Sequence, residues 1–233
     1  MAALMPPPSA AAIRTGGDLV VGAFTLPSSR ALLGGIAVFG LARLVVGGWS
    51  VADLVAVVVT VALAAPLEWL THRHLFHAPI RSRRNRWFRL GRSHRAHHDD
   101  PARLDVLALD RWGAVVLVVV GAAVAAAGYL TVATGVTTVA GVVGTVGPGD
   151  RTLDGGPFGL AGPPTGPVLT AAVVAAVMLA RYETVHLIAH SRYRPRTARG
   201  RRLAAHHLRH HFRNPNRCFG VTTTAVDRAA GTA

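Results

Sequence analysis

The 233-residue chain has no lysine, one cysteine (Cys218), two glutamates (Glu68 and Glu183) and few aromatic residues, 6% of the total. A single cysteine excludes an intrachain disulfide and a thiolate metal cluster, so any metal must be held by histidine or carboxylate. Only 15% of the residues are charged, against 51% hydrophobic, a balance that favours a small membrane domain over an ordinary soluble one. The charge is also one-sided: 25 arginines face 11 acidic residues, for a formal net charge of +14. Such an excess suits nucleic acid, anionic lipid or the cytoplasmic loops of a membrane protein. Scarce aromatics and long apolar runs argue against nucleic acid as a partner. There is no Rossmann-type glycine fingerprint between a strand and a helix. The opening "MAALMPPPSAAAIRTGGD" has no basic residue before Arg14 and is broken at Pro6 to Pro8, so it does not read as a cleaved signal peptide. Residues 1–30 are expected to be a disordered leader and residues 31–233 a single membrane domain.

Four apolar runs are long enough to cross a membrane, which takes about 20 helical residues. They lie near Ala31 to Gly47, Val51 to Leu70, Trp112 to Thr134 and Pro167 to Ile188, and their poly-Val and poly-Ala character shows no polar face. Ten arginines fall between His72 and Arg111 and ten more after Ser191, whereas the Gly/Pro-rich loop at about 135–166 holds only Arg151. The positive-inside bias then puts both arginine blocks and both termini in the cytoplasm, with that loop outside. Gly47 and Gly48 mark a turn between the first two spans. Arg43 and Asp53, on either side of it, are expected to pair, because an intramembrane charge is costly alone.

All twelve histidines fall at or after the cytoplasmic ends of the second and fourth spans. "EWLTHRHLFH" carries His72, His74 and His77, and "SHRAHHDD" carries His94, His97 and His98 at i, i+3 and i+4. "YETVHLIAH" ends the fourth span with His186 and His190 one turn apart. "RRLAAHHLRHHF" repeats the triplet as His207, His210 and His211, after His206. Residues at these spacings share a helix face, so each triplet is expected to converge on one point. A lone histidine at a helix end would be an ordinary interfacial residue; the repetition of the pattern points to metal binding. Ten fit it: His72, His77, His94, His97, His98, His186, His190, His207, His210 and His211. Two first-row ions with about five nitrogens each would use all ten and leave a position open for a small molecule. His72 and His77, five apart, would diverge on a regular helix, so the helix should end or distort there. His74 and His206 are read as packing or outer residues. Glu68 and Glu183 share a helical face with His72 and His186; each either accepts the ligand's second N–H or pairs with Arg73 or Arg181. Asp99 and Asp100 offer the same choice beside Arg95 and Arg103. A nitrogen-rich site of this kind takes zinc as readily as iron.

The order H-x4-H, H-x2-H-H, H-x3-H, H-x2-H-H resembles the fatty acid hydroxylase and sterol desaturase superfamily of membrane di-iron oxygenases. "EWLTHRHLFH", "SHRAHH", "YETVH" and "AHHLRHHFRNPNRCFGVTTTAVDRAAGT" carry the likeness, over Leu67 to Pro101 and from Tyr182 onward. The resemblance implies an all-α fold, four transmembrane helices under a cytoplasmic helical cap, with two irons that activate O2 after reduction. It further implies a membrane lipid or fatty acyl substrate that is hydroxylated or desaturated. The Gly/Pro-rich loop departs from the short connections of the family, and these residues are not expected to include a haem-binding electron-carrier domain. Electrons are therefore expected from a separate reductase, ferredoxin or similar carrier, and the expected location is the plasma membrane of a bacterium. A carotenoid hydroxylase would share the histidine motifs. A metal transporter would carry ligands near mid-membrane, and a metal-dependent hydrolase would turn over without O2.

Overall fold

The structure is a computed structural model that describes residues 9–79, 81–83, 90–142 and 164–233, with side chains omitted at 125 and 132–142. The described residues are mostly helical and form no strand. In chain order the helices are α1 (Gly16–Thr25), α2 (Pro27–Val46), α3 (Val51–Thr71), α4 (Leu90–Asp99), α5 (Leu104–Leu107), α6 (Arg111–Val142), α7 (Thr165–His190), α8 (Ala198–Phe212) and α9 (Ala225–Ala229). Four stretches are long and apolar enough to cross a membrane: Pro27–Val46, Val51–Phe76, Leu104–Thr131 and Thr165–His190. They carry the four runs expected from the sequence. Helix α6 continues through Val142, so residues 135–142 are helix where loop was expected; the rest of the expected Gly/Pro-rich loop, to 163, lies outside the described residues.

The chain divides into two compact units, one of residues 1–32, 65–116 and 179–233, the other of residues 33–64 and 117–178. The second unit is built on small residues: Ala56 meets Ala171, Ala52 packs on Tyr129, and a Cβ on Gly121 would lie 3.6 Å from that of Ala175. Small side chains let helices approach closely where lipid supplies no hydrophobic drive. Valines and leucines face outward, Val45 being 80% exposed, as suits a surface solvated by lipid chains. Inside, Arg43 and Asp53 meet as expected at 2.9 Å, both buried. Thr170 joins them, donating to Asp53 Oδ1 at 2.6 Å, while Arg43 Nη1 donates to the Gly47 carbonyl at 2.7 Å. Gly47 and Gly48 both have φ near +60°, the left-handed region a glycine enters without strain.

In the first unit, the expectation of a disordered leader fails for residues 9–30. Thr15 and Asp18 close a reciprocal capping box on α1. Ala10, Ile13 and Leu26 are buried in one cluster with Leu104, Leu107, Ala108 and Leu187. The Ala10 N–H also donates to the Ala102 carbonyl at 2.7 Å. The Ala/Pro-rich composition hid a long-range contact: Leu187 sits between two of the histidines at the end of α7.

Candidate metal centre

Where α3 ends, the backbone widens into one π-helical turn, His72–Phe76, closed by the His77 N–H on the His72 carbonyl at 3.2 Å. An i→i+5 bond is the distortion that lets residues five apart share a face, and turns of this kind occur often at functional sites. Gly91 lets α4 press against that turn: a Cβ there would lie 3.0–3.1 Å from the carbonyl oxygens of Leu75, Phe76 and Ala78.

The ten predicted histidines come together in two groups of five. His72, His77, His94, His98 and His210 form the first, and His97, His186, His190, His207 and His211 the second. In each group the five ring nitrogens lie within 4.8 Å of one another, with three residues buried and two half-buried. Each group could hold a metal ion. The triplets do not each converge on one point, as expected; each is divided. On α4, His94 and His98 enter the first group and His97 the second; on α8, His207 and His211 enter the second and His210 the first. The reason is helical geometry: positions i and i+4 are about 40° apart around the axis, while i+3 falls about 60° to the other side of i. Helix α3 and its π turn serve only the first group, and α7 only the second. The groups adjoin, with His98 stacked on His211 at 4.1 Å between ring centroids.

Hydrogen-bond accounting favours a cation in the first group. His72 Nδ1 and His210 Nδ1 face the carbonyl oxygens of Phe219 and Arg217. A carbonyl only accepts, so both rings carry their proton on Nδ1 and offer a bare lone pair at Nε2. Five close Nε2 pairs follow, at 3.1–3.2 Å: His72–His94, His94–His77, His94–His98, His77–His210 and His98–His210. Only His77, His94 and His98 could supply a proton, so three protons at most would serve five contacts. Two cis nitrogens on one ion at about 2.0–2.1 Å would stand about 2.8–3.0 Å apart, close to these spacings. In the second group His207 and His190 approach at 2.9 Å. Both ring nitrogens of His97, His186 and His211 are buried without a hydrogen-bond partner among the described residues. Buried polar atoms in that state are costly unless something is bound there.

The rings outside the spanning stretches are held neutral. Burial, then repulsion from His210 and His98, lowers His77 to about 3. Burial lowers His210 to about 4, against the help of the Arg217 carbonyl. His94, His97, His98, His207 and His211 move the same way, chiefly through burial. Neutral imidazoles are what a metal requires.

Among the described residues, neither glutamate meets an imidazole or closes an arginine pair. Glu68 accepts from the backbone N–H groups of Val221 and Thr222 and from the Thr222 hydroxyl. Glu183 accepts from the Leu109 N–H at 3.0 Å, and its Oε2 has no hydrogen-bond partner among the described residues. Both carboxylates therefore brace loops rather than ligands. Asp99 and Asp100 are exposed, and Arg103 pairs with Asp105 at 2.8 Å. His74 is exposed, edge-on to Trp69. His206 is fully engaged, donating from Nε2 to Asp227 at 2.9 Å and facing Arg209 with Nδ1.

Asp227, fully buried, belongs to none of the histidine motifs. It accepts from Trp69, His206, Thr232 and the N–H groups of Phe219 and Gly220. Burial opposes its charge, but these donors hold it at about 2. One signal pointed to it: Asp227 is the only acidic residue after Ser191, in a segment with ten arginines. A pocket lined by Phe76, Leu90, Val106, Leu107, Leu109 and Tyr182 reaches His94 of the first group and His186 of the second.

Compared with protein families, with curated proteins and with solved structures, the chain matches none. Fold and site together describe a helical protein with four potential membrane spans and two adjoining five-histidine groups, each able to hold a metal ion.

Proposed function

We propose that the protein is a membrane-bound, O2-dependent oxidoreductase that hydroxylates or desaturates a lipid or fatty acyl chain at a di-iron centre held by the ten histidines. The observation that carries this reading is the pair of adjoining all-nitrogen groups, with an apolar pocket touching one histidine of each. Two iron ions held there would supply, once reduced, the O2 activation that attack on an unactivated C–H bond requires. The chain's own part is to hold five neutral imidazoles toward each position and to keep water from the pocket with Phe76, Leu90, Leu107 and Leu109. The pocket is small, about 20 Å³, so an apolar chain from the bilayer would enter only as its lining parts. All ten histidines lie at span ends or beyond them, which disfavours a transport site near mid-membrane.

Electrons would come from a separate reductase, ferredoxin or similar carrier. The ten arginines after Ser191 are all exposed while Asp227 is buried, a surface complementary to an acidic carrier. The arginine blocks support a cytoplasmic placement of the centre, and the membrane we propose is the plasma membrane of a bacterium. The test is anaerobic purification with metal analysis, then reduction and 18O2 addition with the host's lipid extract, with and without carotenoid. Two irons per chain and 18O in a hydroxylated lipid, or O2-dependent formation of a double bond, are expected. Label confined to carotenoid would name a different substrate, and turnover without O2 would overturn the oxygenase reading.

A further inference from the structure

The two histidine groups match in ligand type, number and burial, yet they differ in what stands behind the rings. In the first, His72 and His210 each donate Nδ1–H to a backbone carbonyl, of Phe219 and Arg217 respectively. In the second, His97, His186, His207 and His211 have no such partner on Nδ1 among the described residues. The two carbonyls belong to one loop after α8, and that loop is held from both sides. Asp227 takes the N–H groups of Phe219 and Gly220, and Glu68 takes those of Val221 and Thr222. Gly220 is required there, since any Cβ would collide with the Thr223 carbonyl and approach Asp227 Oδ2. Cys218 enters the loop with φ 58°, its N–H bonded to the Thr232 carbonyl at 2.7 Å.

We propose that this loop makes the two metal positions unequal: by presetting His72 and His210 it gives the first group the tighter site, filled before the second. Glu68 and Asp227 are then positioning residues, acting on His72 and His210 through the Phe219 and Arg217 carbonyls. A carbonyl behind an imidazole fixes its tautomer, fixes its orientation and strengthens its donor nitrogen; loss of such a partner changes metal affinity by about 10- to 100-fold. Rings of the second group must fix tautomer and orientation as the ion arrives, and their remaining buried N–H groups stay unpartnered afterwards. This inference rests on the metal-binding part of the proposed function and not on the reaction.

The test is a calorimetric titration of chelator-stripped protein in detergent with cobalt(II), an air-stable stand-in for a first-row divalent ion, with bound metal counted by mass spectrometry. Two ions should bind in two steps separated by about 10- to 100-fold in affinity. His72→Ala should remove the tighter step and His186→Ala the weaker one. Glu68→Gln and Asp227→Asn should each weaken the tighter step about 10- to 100-fold and spare the other. If Asp227→Asn does not fold, Glu68→Gln carries the test, because it keeps the side chain's size. Two equal steps, loss of the tighter step in His186→Ala, or equal weakening of both steps by Glu68→Gln would overturn the proposal. A protein that binds no cobalt would overturn the metal reading and this inference with it.

Discussion

A histidine serves as a ligand only while its ring is neutral, and burial of the clusters ensures that here. His77 and His210 take up protons at about 3 and about 4 in the folded protein, against 6.5 ordinarily. Between those values the unfolded chain binds more protons than the folded one, so stability rises with pH across that window. Metal-free protein in detergent should therefore lose thermal stability as pH falls from about 6.5 toward 4, and His77→Gln should flatten the slope. A Tm independent of pH in that range would contradict the burial assigned to these rings. His98→Ala or His210→Ala should lower bound metal while the spans remain inserted, whereas His74→Ala should change neither, as metal analysis of membrane fractions will show. The ten candidate ligands were legible because their imidazoles repeat a helical spacing. Asp227 was not, because a lone aspartate among arginines reads as a counter-ion, and its five donors come from residues as distant as Trp69. Glu68 and Glu183 misled for a related reason: sharing a helix face with a histidine does not exclude a backbone N–H from another segment as the partner.

At the level of the element, register decides which position each histidine serves. The five-residue interval from His72 to His77 required a distortion, and the π turn supplies it. The split of each triplet follows from the same arithmetic, since residues at i, i+3 and i+4 share a helix face without sharing a point. Because α4 feeds both groups, Gly91→Ala should disturb both: its methyl group would press on three carbonyl oxygens, and displacing α4 moves His94, His97 and His98 together. Metal content should fall for both ions. Gly40→Ala, with no atom near the added methyl, should stay neutral or stabilise by up to about 1 kcal/mol. The segment before α2 belongs to this framework. Ile13→Ala should cost about 2–4 kcal/mol, as buried truncations do, where a disordered leader would cost nothing; thermal unfolding of the two proteins settles the difference.

For the whole molecule, the four apolar helices were legible because each keeps a high mean hydropathy over about 20 residues, despite charges such as Arg43, Asp53 and Glu183. The two-unit division was not, since it depends on contacts between segments far apart in sequence. Reversing either Arg43 or Asp53 should reduce accumulation in the membrane, and exchanging the two should restore it; no rescue in the exchanged protein would break the pairing. A reporter fused after Ala233 is expected to be active only in the cytoplasm, and one inserted near Gly155 only outside, as the arginine blocks require.

The placement of α8 also sets a schedule for biosynthesis. Both groups draw on it, so neither is complete until the ribosome has passed His211, 139 residues beyond His72. At about 5–20 residues per second that interval lasts roughly 7–28 s. All four potential spans precede α8 in the chain, so helix insertion can begin well before a full set of ligands exists. Loading of a metal ion would then follow synthesis of α8, which brings together segments already laid down. A nascent chain arrested at residue 205 should hold neither ion, although it carries seven of the ten histidines.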